Sequence, residues 1–99
     1  MNLEILESFL NQFDLLTHFQ KEIWRFLQKL SKEFRVVIPS QTEIANIVKC
    51  SRDTVNIAIS KFIEMKWIEI KKRPYKSNLY FINPVLLDID SSVPMRRIL

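Results

Sequence analysis

Residues 50–62 read CSRDTVNIAISKF, and this stretch decides the fold. Val55, Ala58, Ile59 and Phe62, followed by Ile63, recur at three- and four-residue steps, the period of one helix face. Ser51 stands immediately before that face, where its hydroxyl can cap a free backbone amide. Asp53 falls in the first turn, where the helix dipole favours a negative charge. The pattern predicts a helix over 51–66 with two unlike sides. Burying the apolar side leaves Ser51, Arg52, Asn56 and Lys61 exposed, with Asp53, Thr54 and Ile57 on the flanks.

Upstream, PSQTEIANIVKC opens with Ser40 and Glu43 in capping-box spacing. Ile44, Ala45, Ile47 and Val48 are expected to form the buried face of a helix about two turns long. Lys49 and Cys50 interrupt it just before Ser51 caps the next helix. Two short helices joined by about three residues are the signature of a helix-turn-helix. Val36, Val37 and Ile38, stopped by Pro39, suit a very short edge strand before the pair.

Downstream the period changes from helical to alternating. WIEIKKR, residues 67–73, and SNLYFIN, residues 77–83, read as two strands separated by a polar loop, which is a β-hairpin. A hairpin directly after the second helix makes the unit a winged helix. Toward the N-terminus, Leu3, Leu6, Phe9, Leu10 and Phe13 predict an amphipathic helix over 3–13. Leu16, Phe19, Ile23, Leu27, Leu30 and Phe34 predict a longer one over 15–34, with Asp14 as its cap and Gln28 on the polar side. The expected fold class is mostly α with a small β-hairpin: a winged helix-turn-helix with an extra N-terminal helix. Residues 1–13 are read as a dimerisation helix, 14–84 as the winged domain, and 85–99 as a docked turn followed by a tail.

The segment CSRDTVNIAISKFIEMKWIEI resembles the recognition helix and wing of winged helix-turn-helix DNA-binding proteins, of the GntR type and of related replication-initiator domains. The likeness lies in Cys50, Ser51, Arg52, Thr54, Val55, Ala58, Ile59, Phe62, Trp67 and Ile68. TEIANIV resembles the preceding helix, with Ala45 as the small residue where the helices cross. KSNLYFINP resembles the second wing strand of replication-type domains. The resemblance covers about Val36 to Pro84 and implies the fold and DNA binding. In three places the chain departs from the family. Lys49 and Lys66 stand where relatives often have glycine, and Asn56 stands where GntR-type proteins often have arginine.

The residues themselves also point to DNA. A helix of this size fits the major groove, with its N-terminal half against the bases. Arginine bonds guanine at two atoms and asparagine does the same with adenine. Ser51, Thr54 and Lys61 are expected to position the helix on the backbone. The wing, 71–78, supplies Lys71, Lys72, Arg73, Tyr75 and Lys76. Between residues 66 and 76 five basic side chains face the single Glu69, a local charge of +4 that equals the net charge of the whole chain. Such concentration is the footprint expected for a phosphate backbone.

Composition narrows the alternatives. The chain has 99 residues, about one domain, and a hydrophobic share of 47% supplies a core. One cysteine permits no intrachain disulfide and fits a reducing, cytoplasmic setting. The acidic start MNLEILESFL lacks the basic opening of a signal peptide, and no apolar run reaches membrane-spanning length. Glycine is absent, which argues against phosphate loops and dinucleotide fingerprints. One histidine and one cysteine far apart assemble no catalytic or metal constellation, so no enzyme activity, cofactor, metal or small-molecule ligand is expected. The expected partners are double-stranded DNA and a second copy of the chain. That copy would pair through residues 3–13 and the flank of 15–34, on a roughly two-fold symmetric site. The expected role is a small regulator of transcription in a prokaryotic, viral or plasmid setting. Two other roles suit the same residues: the DNA-binding module of a plasmid or phage replication initiator, and a winged helix that docks a protein partner.

Overall fold

The computed structural model describes residues 3–34, 38–76 and 79–91. Helix α1 spans Leu3–Gln12 and runs into a 3₁₀ turn at Phe13–Leu15. Helix α2 spans His18–Phe34, α3 Gln41–Val48 and α4 Arg52–Glu64. Strands β1, Ile68–Lys71, and β2, Leu79–Ile82, follow, and a second 3₁₀ turn covers Pro84–Leu86. The strands pair antiparallel from Ile68 opposite Ile82 to Lys71 opposite Leu79. The architecture is a winged helix-turn-helix preceded by an extra helix, as the periodicities require. Val36 and Val37 lie outside the described residues. Their neighbour Ile38 donates its amide to the Tyr80 carbonyl at 3.1 Å, so the chain before α3 meets the free edge of β2.

The core is built around an aromatic cluster. Phe9, Trp24, Phe62 and Trp67 are each fully buried and come from α1, α2, α4 and the turn before β1. Phe9 meets Trp67 edge-on at 4.8 Å, Trp24 meets Phe62 at 5.2 Å, and Phe62 stacks on Trp67 at 5.8 Å. Such pairs add about 0.5–1.5 kcal/mol each beyond the area they bury. The extra helix is thus part of the core: Phe9, Leu10 and Phe13, read from sequence as spare for a partner, are covered by the chain itself.

Helix α2 differs from its sequence reading in start and face. It begins at His18 because Thr17 and Gln20 form the reciprocal capping box: the Gln20 amide donates to Thr17 Oγ1 at 3.2 Å, and the Thr17 amide donates to Gln20 Oε1 at 3.0 Å. Asp14 sits instead within the preceding 3₁₀ turn. The buried face runs through Gln20, Ile23, Trp24, Leu27, Gln28 and Ser31, while Phe19 is 41% exposed. Two things turn the face this way. Trp24 fills the aromatic cluster, and the Gln28 amide is consumed by the C-terminal segment. Gln28 Nε2 is shared among the carbonyls of Leu86 at 2.8 Å, Leu87 at 3.2 Å and Ile89 at 2.7 Å, and its Oε1 accepts from the Ser91 hydroxyl at 3.1 Å. Arg25 adds two bonds to the Ser91 carbonyl, from Nε at 3.1 Å and Nη2 at 3.0 Å. Residues 84–91 are thereby docked on α2; the rest of the expected tail lies outside the described residues. In α3 the buried face is likewise narrower than expected, Ile44 and Ala45, with Ile47 57% exposed.

The two lysines that replace family glycines both adopt left-handed backbone, Lys49 at φ 62° and Lys66 at φ 63°. Each ends a helix. The Cys50 amide returns to the Ala45 carbonyl at 3.1 Å, and the Trp67 amide returns to that of Phe62 at 2.9 Å, six-to-one closures typical of this terminus. The geometry normally given to glycine is kept, and the lysine ammonium groups complement the negative helix ends. Backbone cost is isolated by comparing two uncharged replacements at one position. Lys66→Gly is expected to be more stable than Lys66→Ala by about 1 kcal/mol, and the same holds at Lys49. Chemical denaturation of the four variants measures this, and equal midpoints within each pair would show that the turns relax freely.

Candidate nucleic-acid interface

Helix α4 starts where Ser51 makes it start. The Thr54 amide donates to Ser51 Oγ at 3.0 Å, and the two hydroxyls lie 2.8 Å apart. Both hydroxyls therefore have intrahelical partners, and Thr54 is only half-exposed. Val55, Ala58, Ile59 and Phe62 are buried, which pins the rotation of the helix. That rotation leaves Arg52, Asp53, Asn56, Ile57 and Ser60 exposed on the opposite side, with Ile57 at 62%. Arg52 and Asn56 thus occupy the N-terminal half of an outward face, as the sequence pattern predicts. Lys61 does not join them. It is half-buried in the last turn, nine residues beyond Arg52 and so about 13 Å further along the axis.

Asn56 is not isolated on that face. Gln41, the first residue of α3, donates from Nε2 to Asn56 Oδ1 at 3.1 Å. Sequence reasoning missed Gln41, because its relation to Asn56 arises from the crossing of two helices and no spacing rule encodes it. A groove of about 420 Å³ lies among the start of α3, α4 and the wing, lined by Gln41, Asn56, Ser60 and Arg73 on its polar side and by Ile59 and Tyr80 among its apolar residues. It brings the helix residue Asn56 and the wing residue Arg73 to one depression.

The wing tip is a four-residue turn, Arg73 to Lys76, in which the Lys76 amide reaches the Arg73 carbonyl at 3.5 Å. Pro74 sets the first corner and Tyr75 takes the second at φ 63°, a place that ordinarily wants glycine or asparagine. A bulky residue held left-handed and fully exposed is a local outlier. Lys71, Lys72 and Lys76 surround it, all exposed, while Arg73 is half-buried. At the base of the hairpin, buried Asn83 donates its amide to the Trp67 carbonyl at 2.8 Å and its side chain to the Lys66 carbonyl at 3.4 Å. The wing is therefore tied to the end of α4, and the two candidate surfaces are held in one frame.

Among the described residues no group of three or more His, Cys, Asp or Glu side chains is placed to hold a metal ion, and no helix is long and apolar enough to cross a membrane. His18 is exposed beside the Phe19 ring, and Cys50 is a half-buried free thiol against the core.

No family model matches the chain, and no curated protein matches it. Among solved structures it is similar to the DNA-binding TubR fragment from Clostridium botulinum, determined in solution, at 22% identity and a TM-score of 0.53. The similarity covers 85% of this chain and 98% of that one. At this level of identity the likeness establishes a shared fold, and it extends over nearly the whole of the DNA-binding fragment.

Proposed function

We propose that this protein binds double-stranded DNA, with α4 in the major groove and the β1–β2 wing along the backbone or minor groove. One observation carries the reading: α4 turns Arg52 and Asn56 outward beside a wing that concentrates a charge equal to that of the whole chain. The structural neighbour, itself a DNA-binding fragment, supports it. Arg52 and Asn56 contact base edges, and exposed Ile57 offers an apolar surface to a thymine methyl. Ser51, Thr54 and the helix start approach phosphate, and Lys61 serves the backbone from the far end of the helix. Lys71, Lys72, Arg73, Tyr75 and Lys76 hold backbone or minor groove through the wing. The role is that of a small cytoplasmic regulator of transcription, resembling GntR-type proteins in its recognition helix. The wing strand KSNLYFINP favours a second reading, the DNA-binding module of a replication initiator. Binding of the chain to labelled duplex across a salt series tests the shared core of both: affinity falls steeply with salt, and salt-insensitive or absent binding overturns it.

A homodimer is part of the proposal, on a narrower surface than residues 3–13. Leu15 and Phe19, exposed at the junction of α1 and α2, are the apolar side chains we assign to it. Light scattering is expected to give about twice the chain mass of 11.9 kDa for the wild type and the single mass for Leu15→Glu/Phe19→Glu. A wild-type mass of one chain removes the dimer, and a doubled mass in the variant removes this surface.

A further inference from the structure

We propose that Gln41 is a positioning residue that fixes the side-chain amide of Asn56, and that the base so selected is adenine. The inference rests on the DNA-binding reading and deepens it. An asparagine amide is nearly symmetric in shape and opposite in polarity at its two ends. In one orientation its oxygen accepts from the N6 amino group of adenine while its nitrogen donates to N7; turned over, the same amide meets that edge donor to donor and acceptor to acceptor. An exposed amide alone samples both orientations.

Gln41 restricts this freedom, because Asn56 can turn over only if the Gln41 amide turns with it. Its Nε2 donates to Asn56 Oδ1 at 3.1 Å, taking one of two lone pairs. The second lone pair and both Nδ2 hydrogens remain for a base. Turning Asn56 by itself would set two amino groups face to face. The backbone of Gln41 is held in place by the helix it opens: the Glu43 amide donates to the capping Ser40 Oγ at 3.2 Å, and Ile44 and Ala45 root α3 in the core. Gln41 is half-buried, and it lines the groove among the start of α3, α4 and the wing together with Asn56. Guanine places an acceptor where adenine has its amino donor, so the held oxygen opposes it.

The test is a binding selection from a duplex library with randomised positions, run in parallel for wild type, Gln41→Ala, Gln41→Glu, Asn56→Ala and the Gln41→Ala/Asn56→Ala double variant. Wild type is expected to prefer adenine at one position. Asn56→Ala abolishes that preference. Gln41→Ala weakens it roughly tenfold while leaving the other positions, the salt slope and the melting temperature unchanged. The double variant matches Asn56→Ala. Gln41→Glu, whose carboxylate only accepts, turns the amide over and shifts the preference away from adenine, which a merely structural role would not do. An intact adenine preference in Gln41→Ala, or an equal weakening at every position, overturns the inference while leaving DNA binding standing. Failure of the wild type to bind any duplex overturns both.

Discussion

Trp67→Ala is expected to destabilise the protein by about 3–5 kcal/mol, the usual cost of emptying an aromatic site in a core. Trp67 is fully buried where four elements meet. Its ring contacts Phe9 from α1, Trp24 from α2 and Phe62 from α4, and its indole Nε1 donates to Ser8 Oγ at 3.3 Å. Its backbone amide closes α4 on Phe62, and its carbonyl receives the Asn83 amide that anchors the wing. Alanine keeps those backbone bonds and removes the ring, leaving a cavity that three aromatic neighbours from different helices cannot easily fill. A domain of this size has a total stability on the order of 5–15 kcal/mol, so the variant is expected to lose a large share of it. Urea unfolding followed by far-UV circular dichroism measures the loss. A change below about 1 kcal/mol would mean that the ring is not the keystone its contacts describe.

The second large effect concerns binding. Replacing Lys71, Lys72 and Lys76 together by alanine is expected to flatten the salt dependence of duplex affinity by about 2–3 in logarithmic slope, since each neutralised phosphate contributes about 0.9. By the same arithmetic, affinity at roughly 0.1 M salt falls by two to three decades if all three engage phosphate. The three side chains are exposed, so the melting temperature is expected to stay within a few degrees of wild type. Anisotropy titrations at several salt concentrations separate the outcomes. A shallower slope with unchanged melting places the wing on the backbone, and an unchanged slope removes it from the interface. Arg73 is left in place because it is half-buried.

Much of the fold was legible because local rules and burial agree. In 50–62 the cap, the dipole and the apolar period name the same helix, and the observed α4 buries Val55, Ala58, Ile59 and Phe62 as read. The hairpin was legible from its change of period, and the turn from the interruption at Lys49 and Cys50. Helix α2 was harder. Its hydrophobic count favours a stripe through Phe19, yet the buried face carries Gln20, Gln28 and Ser31. Gln28 is polar in the sequence and interior in the fold because carbonyls nearly sixty residues later satisfy it. Periodicity weighs side chains by polarity and has no term for a distant partner.

The order of the elements, the helix starts at Ser40 and Ser51, the inward face of α4 and the basic wing are written in local sequence. These depend on spacings of three or four residues and on local charge, which a chain carries wherever it goes. Tertiary structure alone decided that α1 belongs to the core, that Lys49 and Lys66 hold left-handed turns without glycine, and that Gln41 meets Asn56 across the helix crossing. Each of these depends on two segments reaching the same place, and their cost or gain exists only once the core has brought them together.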